Sequence, residues 1–309
     1  MALRHAVTRE VVARIQAAAH RRLAVLLTLV LLLAPALGLR FFTSVYPFLA
    51  TAYLSLTNTS PFAGESSFVG LENYRLLLHD LVFRRALSFT LLFVICSTAI
   101  ELLVGLLIAL VLNAAFRLRS IVRAISLMPW AIPPIVAAVG FRFMFDRQFG
   151  IIADMLRRIG VDVPWLIDPE AAQAAVILAN SWRLAPFVAV IILAGLQGIP
   201  QEILEAARID GASQLRIILQ VIVPMVLPLL VTVGIFLTVW QLGTFDVVLG
   251  MTGGGPGTAT TVLSYLVYQQ AFIALAFGYA SAIAMILFSL VLLTGVVGLL
   301  IFRRVEVSV

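Results

Sequence analysis

The chain has 309 residues, 62% of them hydrophobic and only 12% charged, which is more apolar surface than one soluble core of this size can hide. Its formal charge of +6 does not point to nucleic acid, because the basic residues stand between apolar runs and form no cluster on a soluble face. All 21 basic residues are arginine, so no Walker A lysine can reach a nucleotide phosphate; the single Cys96 and the scattered His5, His20 and His79 offer neither an intrachain disulfide nor a metal cluster.

The first apolar run, Leu23 to Leu39, follows His20-Arg21-Arg22. Ala34-Pro35-Ala36 faintly matches a signal-peptidase site, but the long basic leader and the length of the run favour a retained span, with Arg40 snorkelling at its edge. Six spans are predicted in all, at about 23–45, 86–112, 120–141, 171–198, 221–244 and 277–302. The fold class is therefore an all-α polytopic membrane protein: a cytoplasmic segment 1–22, a transmembrane domain 23–302 and a tail 303–309. With the N-terminus inside, 12 arginines fall in inner segments and 7 in outer ones, which puts both termini in the cytoplasm.

Two outer connections are long, about 46–85 and 142–170, and runs such as Phe68-Val69-Gly70-Leu71-Glu72-Asn73-Tyr74 give them the look of ordered chain. Val247 to Phe302 contains no Asp, Glu, Lys, Arg or His, yet as one helix it would reach about 84 Å against a hydrocarbon core of about 30 Å. It must break, and Thr252-Gly253-Gly254-Gly255-Pro256-Gly257-Thr258 supplies the break. A turn before a short surface helix is the favoured reading of that stretch, beside contact with a ligand or with a partner protein.

The inner connection at about 199–220 reads as two short helices. Pro200 suits a helix start, and Ile203, Leu204 and Ala207 form an apolar face apart from Glu202, Glu205 and Arg208. Asp210-Gly211 breaks the run, with Asp210 available to cap the helix from Ser213 to Val223. By itself this is an interfacial hairpin that closes one side of the bundle.

The order Glu205-Ala206-Ala207, Asp210-Gly211-Ala212 and then Pro224 resembles the EAA loop of binding-protein-dependent ABC permeases. Val223 stands where that pattern commonly has Leu, a conservative apolar change. Tyr46-Pro47, Phe68 to Tyr74, Leu196-Gln197-Gly198-Ile199-Pro200 and Thr252 to Thr260 extend the resemblance to the carbohydrate-uptake branch, the first subunit of the maltose and glycerol-phosphate type. The resemblance implies a type I importer permease in the inner membrane, half of a path for a sugar or related polyol. It implies four kinds of partner: a second homologous permease, a pair of ATPase subunits, an extracytoplasmic solute-binding protein and membrane lipid. Glu205, Ala206, Ala207, Asp210, Gly211 and Ala212 would then be the coupling residues of the 199–224 loop. The chain itself would hold no cofactor, with ATP and Mg bound by the ATPase, and would catalyse nothing.

Glu101 and Arg183 are ionisable groups inside apolar runs, so they either face a cavity or pair with one another. Asn180, Trp182 and Gln241 are further candidates for the substrate path, since neutral sugars call for aromatic faces and a few hydrogen-bonding groups. Trp130, Trp165 and Tyr279 suit interface anchors. The competing class is a secondary transporter or channel driven by an ion gradient, which would use broken helices and an intramembrane carboxylate such as Glu101. It leaves the 199–220 element without a role.

Overall fold

The computed structural model describes residues 28–62, 64, 66–114 and 117–308, with side chains as far as Arg304. The expected cytoplasmic segment 1–22, its five arginines and the first residues of the leading span lie outside the described residues. Contacts divide the chain after Tyr53 into two units. Among the described residues, five helices are long and apolar enough to cross a membrane, or six if a bent pair counts as one span.

The described part of the first unit belongs to α1, Thr28–Leu54. That helix does not end near 45 but runs on through Tyr46-Pro47. A proline inside a helix lacks an amide and crowds the preceding turn. Here the helix widens into a π turn over Phe41–Val45, the Tyr46 amide donating to the Phe41 carbonyl, which makes room for the ring.

In the second unit, α2, Glu72–His79, is tied to the chain before it. Asn73 Nδ2 donates to the carbonyls of Ser55 at 2.9 Å and Thr57 at 2.8 Å. Helix α3, Leu81–Asn113, starts before the expected 86 because Asp80 caps it, its Oδ1 accepting from the Val82 amide at 2.7 Å.

The third crossing departs most from expectation. In place of one helix over about 120–141 there are α4, Arg119–Ser126, α5, Met128–Ala131, and α6, Pro134–Met144. Arg119–Ala131 and Pro134–Met144 meet at 90°. Pro133 and Pro134 delete two successive amide donors, and Ile132, as the residue before a proline, is driven to extended backbone (φ −73°, ψ 130°).

After α7, Ile151–Arg158, the long helix α8, Pro169–Leu196, begins with Asp168 as its cap. It runs parallel to α3, and small residues set their spacing: a Cβ on Gly105 would come within 2.7 Å of Val188 Cγ1. In lipid such close approach replaces the hydrophobic drive between helices. The chain continues through α9, Gln201–Ile209, and α10, Gln214–Gly243, which enters through a π turn at Ile218–Ile222 ahead of Pro224. Next come α11, Asp246–Met251, α12, Leu263–Tyr268, and α13, Phe277–Ser308.

The break at 252–258 forms as the glycines suggest, with positive φ at Gly253, Gly254 and Gly257. Thr260 Oγ1 donates to the Gly255 carbonyl at 2.7 Å and lies 2.7 Å from Thr252 Oγ1, so the turn is closed by its own threonines. The helix that follows is not a surface element: Leu263, Tyr265 and Leu266 of α12 are buried. Tyr279 is likewise a tie, its hydroxyl donating to Asp80 Oδ2 at 2.6 Å. Trp165 packs against Phe145 with its indole nitrogen buried, so it does not serve as a snorkelling anchor.

Gly278, at the start of α13, has the Thr57 carbonyl where a side chain would go, and its amide donates to Thr59 O at 3.1 Å. Backbone cannot swing aside as a side-chain tip can. Gly278→Ala is therefore expected to destabilise by about 1–3 kcal/mol, read as a lower thermal midpoint of the purified protein. An unchanged midpoint would show that the 55–59 segment yields freely.

Candidate functional site

Two features stand on the α3–α8 pair, one at its end and one part-way along it. The first is the hairpin that follows α8. Its helix α9 ends in a Schellman turn: the Ala212 amide donates to Ala207 O at 3.1 Å and the Gly211 amide to Arg208 O at 3.0 Å, with Gly211 at φ +78°. The cap of the next helix is Ser213, whose Oγ accepts from the Arg216 amide at 3.4 Å. The expectation that Asp210 would cap it is corrected: Asp210 closes the preceding helix instead. Leu204 and Ile217 are buried and hold the hairpin to the ends of α3, α8 and α10 through Leu112, Ile192 and Leu196. Glu205, Ala206, Asp210 and Gly211 are exposed, with Ala207 and Ala212 half-buried behind them. Ile209 is 86% exposed and Leu215 66%, an apolar edge on an otherwise polar element. One face is anchored and the other is presented.

The second feature lies in mid-membrane. Glu101 on α3, Asn180 on α8 and Gln241 on α10 are all buried and meet in one hydrogen-bonded junction. Asn180 Nδ2 donates to Glu101 Oε1 at 3.1 Å and to Gln241 Oε1 at 3.0 Å, and Gln241 Nε2 donates to Glu101 Oε1 at 2.6 Å. Glu101 Oε2 and Asn180 Oδ1 have no protein partner. Of the two arrangements open to Glu101 and Arg183, direct pairing does not form. No ion pair joins them among the described residues, although Arg183 lies within electrostatic reach of both Glu101 and Asp246.

Trp182 is not part of this junction. It is 47% exposed and meets Phe141 of α6 edge-on, the ring centroids 5.1 Å apart. Farther along α8, Phe187 stacks on Trp130 of α5 at 5.0 Å. The right-angled break at Pro133-Pro134 brings Trp130 and Phe141 to α8. From sequence Trp130 reads as an interface anchor, and Phe141 carries no signal; the paired prolines between them were the available clue. No group of three or more His, Cys, Asp or Glu side chains suited to a metal occurs among the described residues.

Residues 101–307 match the family described as the inner membrane component of binding-protein-dependent transport systems. The chain belongs to this family. The permease is 38% identical to the sulfoquinovosyl glycerol transport system permease protein SmoG of Agrobacterium fabrum, covering 89% of this chain and 90% of that protein. It is 36% identical to the trehalose/maltose transport system permease protein MalF of Thermococcus litoralis, over 89% and 94% of the two. A chain from the crystal structure of a bacterial alginate ABC transporter, in complex with an alginate pentasaccharide-bound periplasmic protein, superposes with a TM-score of 0.78. The two share 22% identity over 90% and 94% of their lengths, so this likeness bears on the fold, which is that of an ABC importer permease. Membership assigns the permease to multi-pass transport in the inner membrane, and the gradient-driven alternative gains no support.

Proposed function

We infer that the permease forms one half of the path for a sugar or related polyol and is driven by separate ATPase subunits through its 199–224 loop. Relatives with named substrates include permeases for sulfoquinovosyl glycerol, for trehalose and maltose, and for sn-glycerol-3-phosphate, and the aromatic faces of Trp182, Trp130 and Phe187 beside α8 are chemistry suited to pyranose rings. The observation that carries the reading is the hairpin: a short helix fixed to the bundle by Leu204 and Ile217, with Glu205, Ala206 and Gly211 outward. An ATPase groove that grips it would move α8 and α10 together, which is what a two-state bundle needs to alternate its access.

In this reading ATP and Mg belong to the partner, a second permease completes the cavity, and a solute-binding protein delivers substrate on the opposite side. Both termini are cytoplasmic, with 1–22 and 303–309 as the flanking segments of the transmembrane domain. Glu101, Asn180 and Gln241 act behind the aromatic wall, holding the spans that carry it, and Arg183 beside them is a candidate for the path.

Proteoliposomes with all four kinds of subunit should take up sugar only when ATP is supplied inside. Uptake by this chain alone along an ion gradient would overturn the proposal. In the same assay Trp182→Ala should cut sugar uptake roughly threefold to tenfold, the loss of one aromatic contact, while Trp182→Tyr keeps most of it. Equal uptake by the alanine variant would remove Trp182 from the path.

A further inference from the structure

At the end of α3 and α8 far from the hairpin, a cavity of about 740 Å³ opens between the first turns of α3, the start of α8 and the turn at Pro256 to Ala259. Arg84 and Arg85 stand on its wall, and both are exposed. Neither guanidinium makes an ion pair or hydrogen bond with any described residue.

Two acids stand beside the cavity's walls in sequence, Asp80 one turn before Arg84 and Asp168 just before Pro169, and each is engaged in hydrogen bonds of its own. Asp80 gives Oδ1 to the Val82 amide and Oδ2 to the Tyr279 hydroxyl, and Asp168 gives Oδ1 to the Ala171 amide. Gln173 on the opposite wall uses its Nε2 to hold the Ala259 carbonyl at 2.8 Å, which fixes the turn against α8. The cavity is thus built from three tied elements and carries two guanidiniums, with no carboxylate among the residues that line it.

Toward mid-membrane, the face of α3 below the arginines is apolar and open. Leu92, Ile95 and Leu103 follow at helical spacing and are 42%, 66% and 61% exposed. A guanidinium pair at the level of a span's end, above a hydrocarbon-lined stripe, matches an amphiphile with an anionic head and an acyl chain. A small soluble anion would use the arginines and leave the stripe bare. We propose that the cavity bounded by Arg84, Arg85 and the 256–259 turn is a binding site for an anionic phospholipid, its head on the two guanidiniums and one chain along Leu92 and Ile95.

The test uses the full-length permease in detergent, offered equal amounts of phosphatidylglycerol and phosphatidylcholine with the same acyl chains and read by mass spectrometry of retained lipid. The unaltered protein should prefer phosphatidylglycerol by about tenfold or more. Arg84→Gln/Arg85→Gln should lose that preference, and Arg84→Lys/Arg85→Lys should keep most of it, which separates loss of charge from misfolding. Arg142→Gln/Arg147→Gln, away from the cavity, should leave it unchanged. An undiminished preference in the glutamine variant would overturn the site. So would displacement of the lipid by millimolar glycerol phosphate, which would mark a site for a free anion. A glutamine variant that keeps the lipid but loses the second permease on purification would show that an acidic partner surface occupies the cavity.

Discussion

Gly211→Val should lower ATP-driven uptake by about tenfold or more while leaving the permease inserted and its spans folded. Gly211 sits at φ +78°, and no atom lies within 4 Å of where its Cβ would be, so the substitution meets no clash inside the chain. The cost is conformational: a β-branched residue held in the left-handed region loses about 1–2 kcal/mol, and 1.4 kcal/mol is about tenfold in population. What is depopulated is the Schellman turn, whose bonds from Gly211 and Ala212 back to Arg208 and Ala207 set the angle between α9 and α10. Leu204 and Ile217 still bury their side chains, so the hairpin stays attached but no longer presents Glu205 in one orientation. Gly211→Asn separates the possible causes, because asparagine tolerates positive φ. Retained uptake in the asparagine variant with loss in the valine variant assigns the effect to the turn. Loss in both assigns it to a partner surface that needs bare backbone there, and normal uptake in both would end the coupling role.

That hairpin was legible in the sequence because its signals are local. Pro200, the Ile203–Leu204–Ala207 spacing and Gly211 each act within a turn of chain, and the structure places a helix, a stop and a second helix there. The cap was misassigned for an equally local reason: Asp210 and Ser213 are both good caps three residues apart, and only the backbone decides which one faces the free amides. The spans were legible from the absence of charge. The right angle in the third crossing was not, since its residues are as apolar as a straight span and only Pro133-Pro134 departs from it.

The junction in mid-membrane was visible only in part, because Glu101, Asn180 and Gln241 are far apart in sequence. Single-residue reasoning marks each as unusual in an apolar run but cannot say that they face one another. The same limit explains Trp130 and Phe141, whose placement beside α8 depends on the bend between them.

The junction predicts a measurable energy. Glu101→Leu strands Gln241 Nε2, which has Glu101 Oε1 as its acceptor, while Asn180 Nδ2 keeps its bond to Gln241. A donor left unmatched in an apolar interior costs about 1–3 kcal/mol, although comparable bonds between membrane helices average nearer 0.6 kcal/mol. Glu101→Leu should therefore lower stability by roughly 2 kcal/mol. Glu101→Gln, which keeps an oxygen in place, should cost less. Adding both Gln241→Leu and Asn180→Leu to Glu101→Leu should recover part of the loss, because Asn180 Nδ2, whose acceptors are Glu101 Oε1 and Gln241 Oε1, would otherwise be stranded. A double-mutant cycle read from unfolding in detergent should give a coupling of about 0.5–1.5 kcal/mol. The functional consequence follows from the connection of α10 to the hairpin: with its tie to α3 cut, motion at Gly211 moves α10 without moving α3. ATP hydrolysis by the assembled transporter should then proceed with less sugar moved per ATP. Strictly additive losses in the cycle, or an unchanged ratio of sugar to ATP, would show that the junction only fills space.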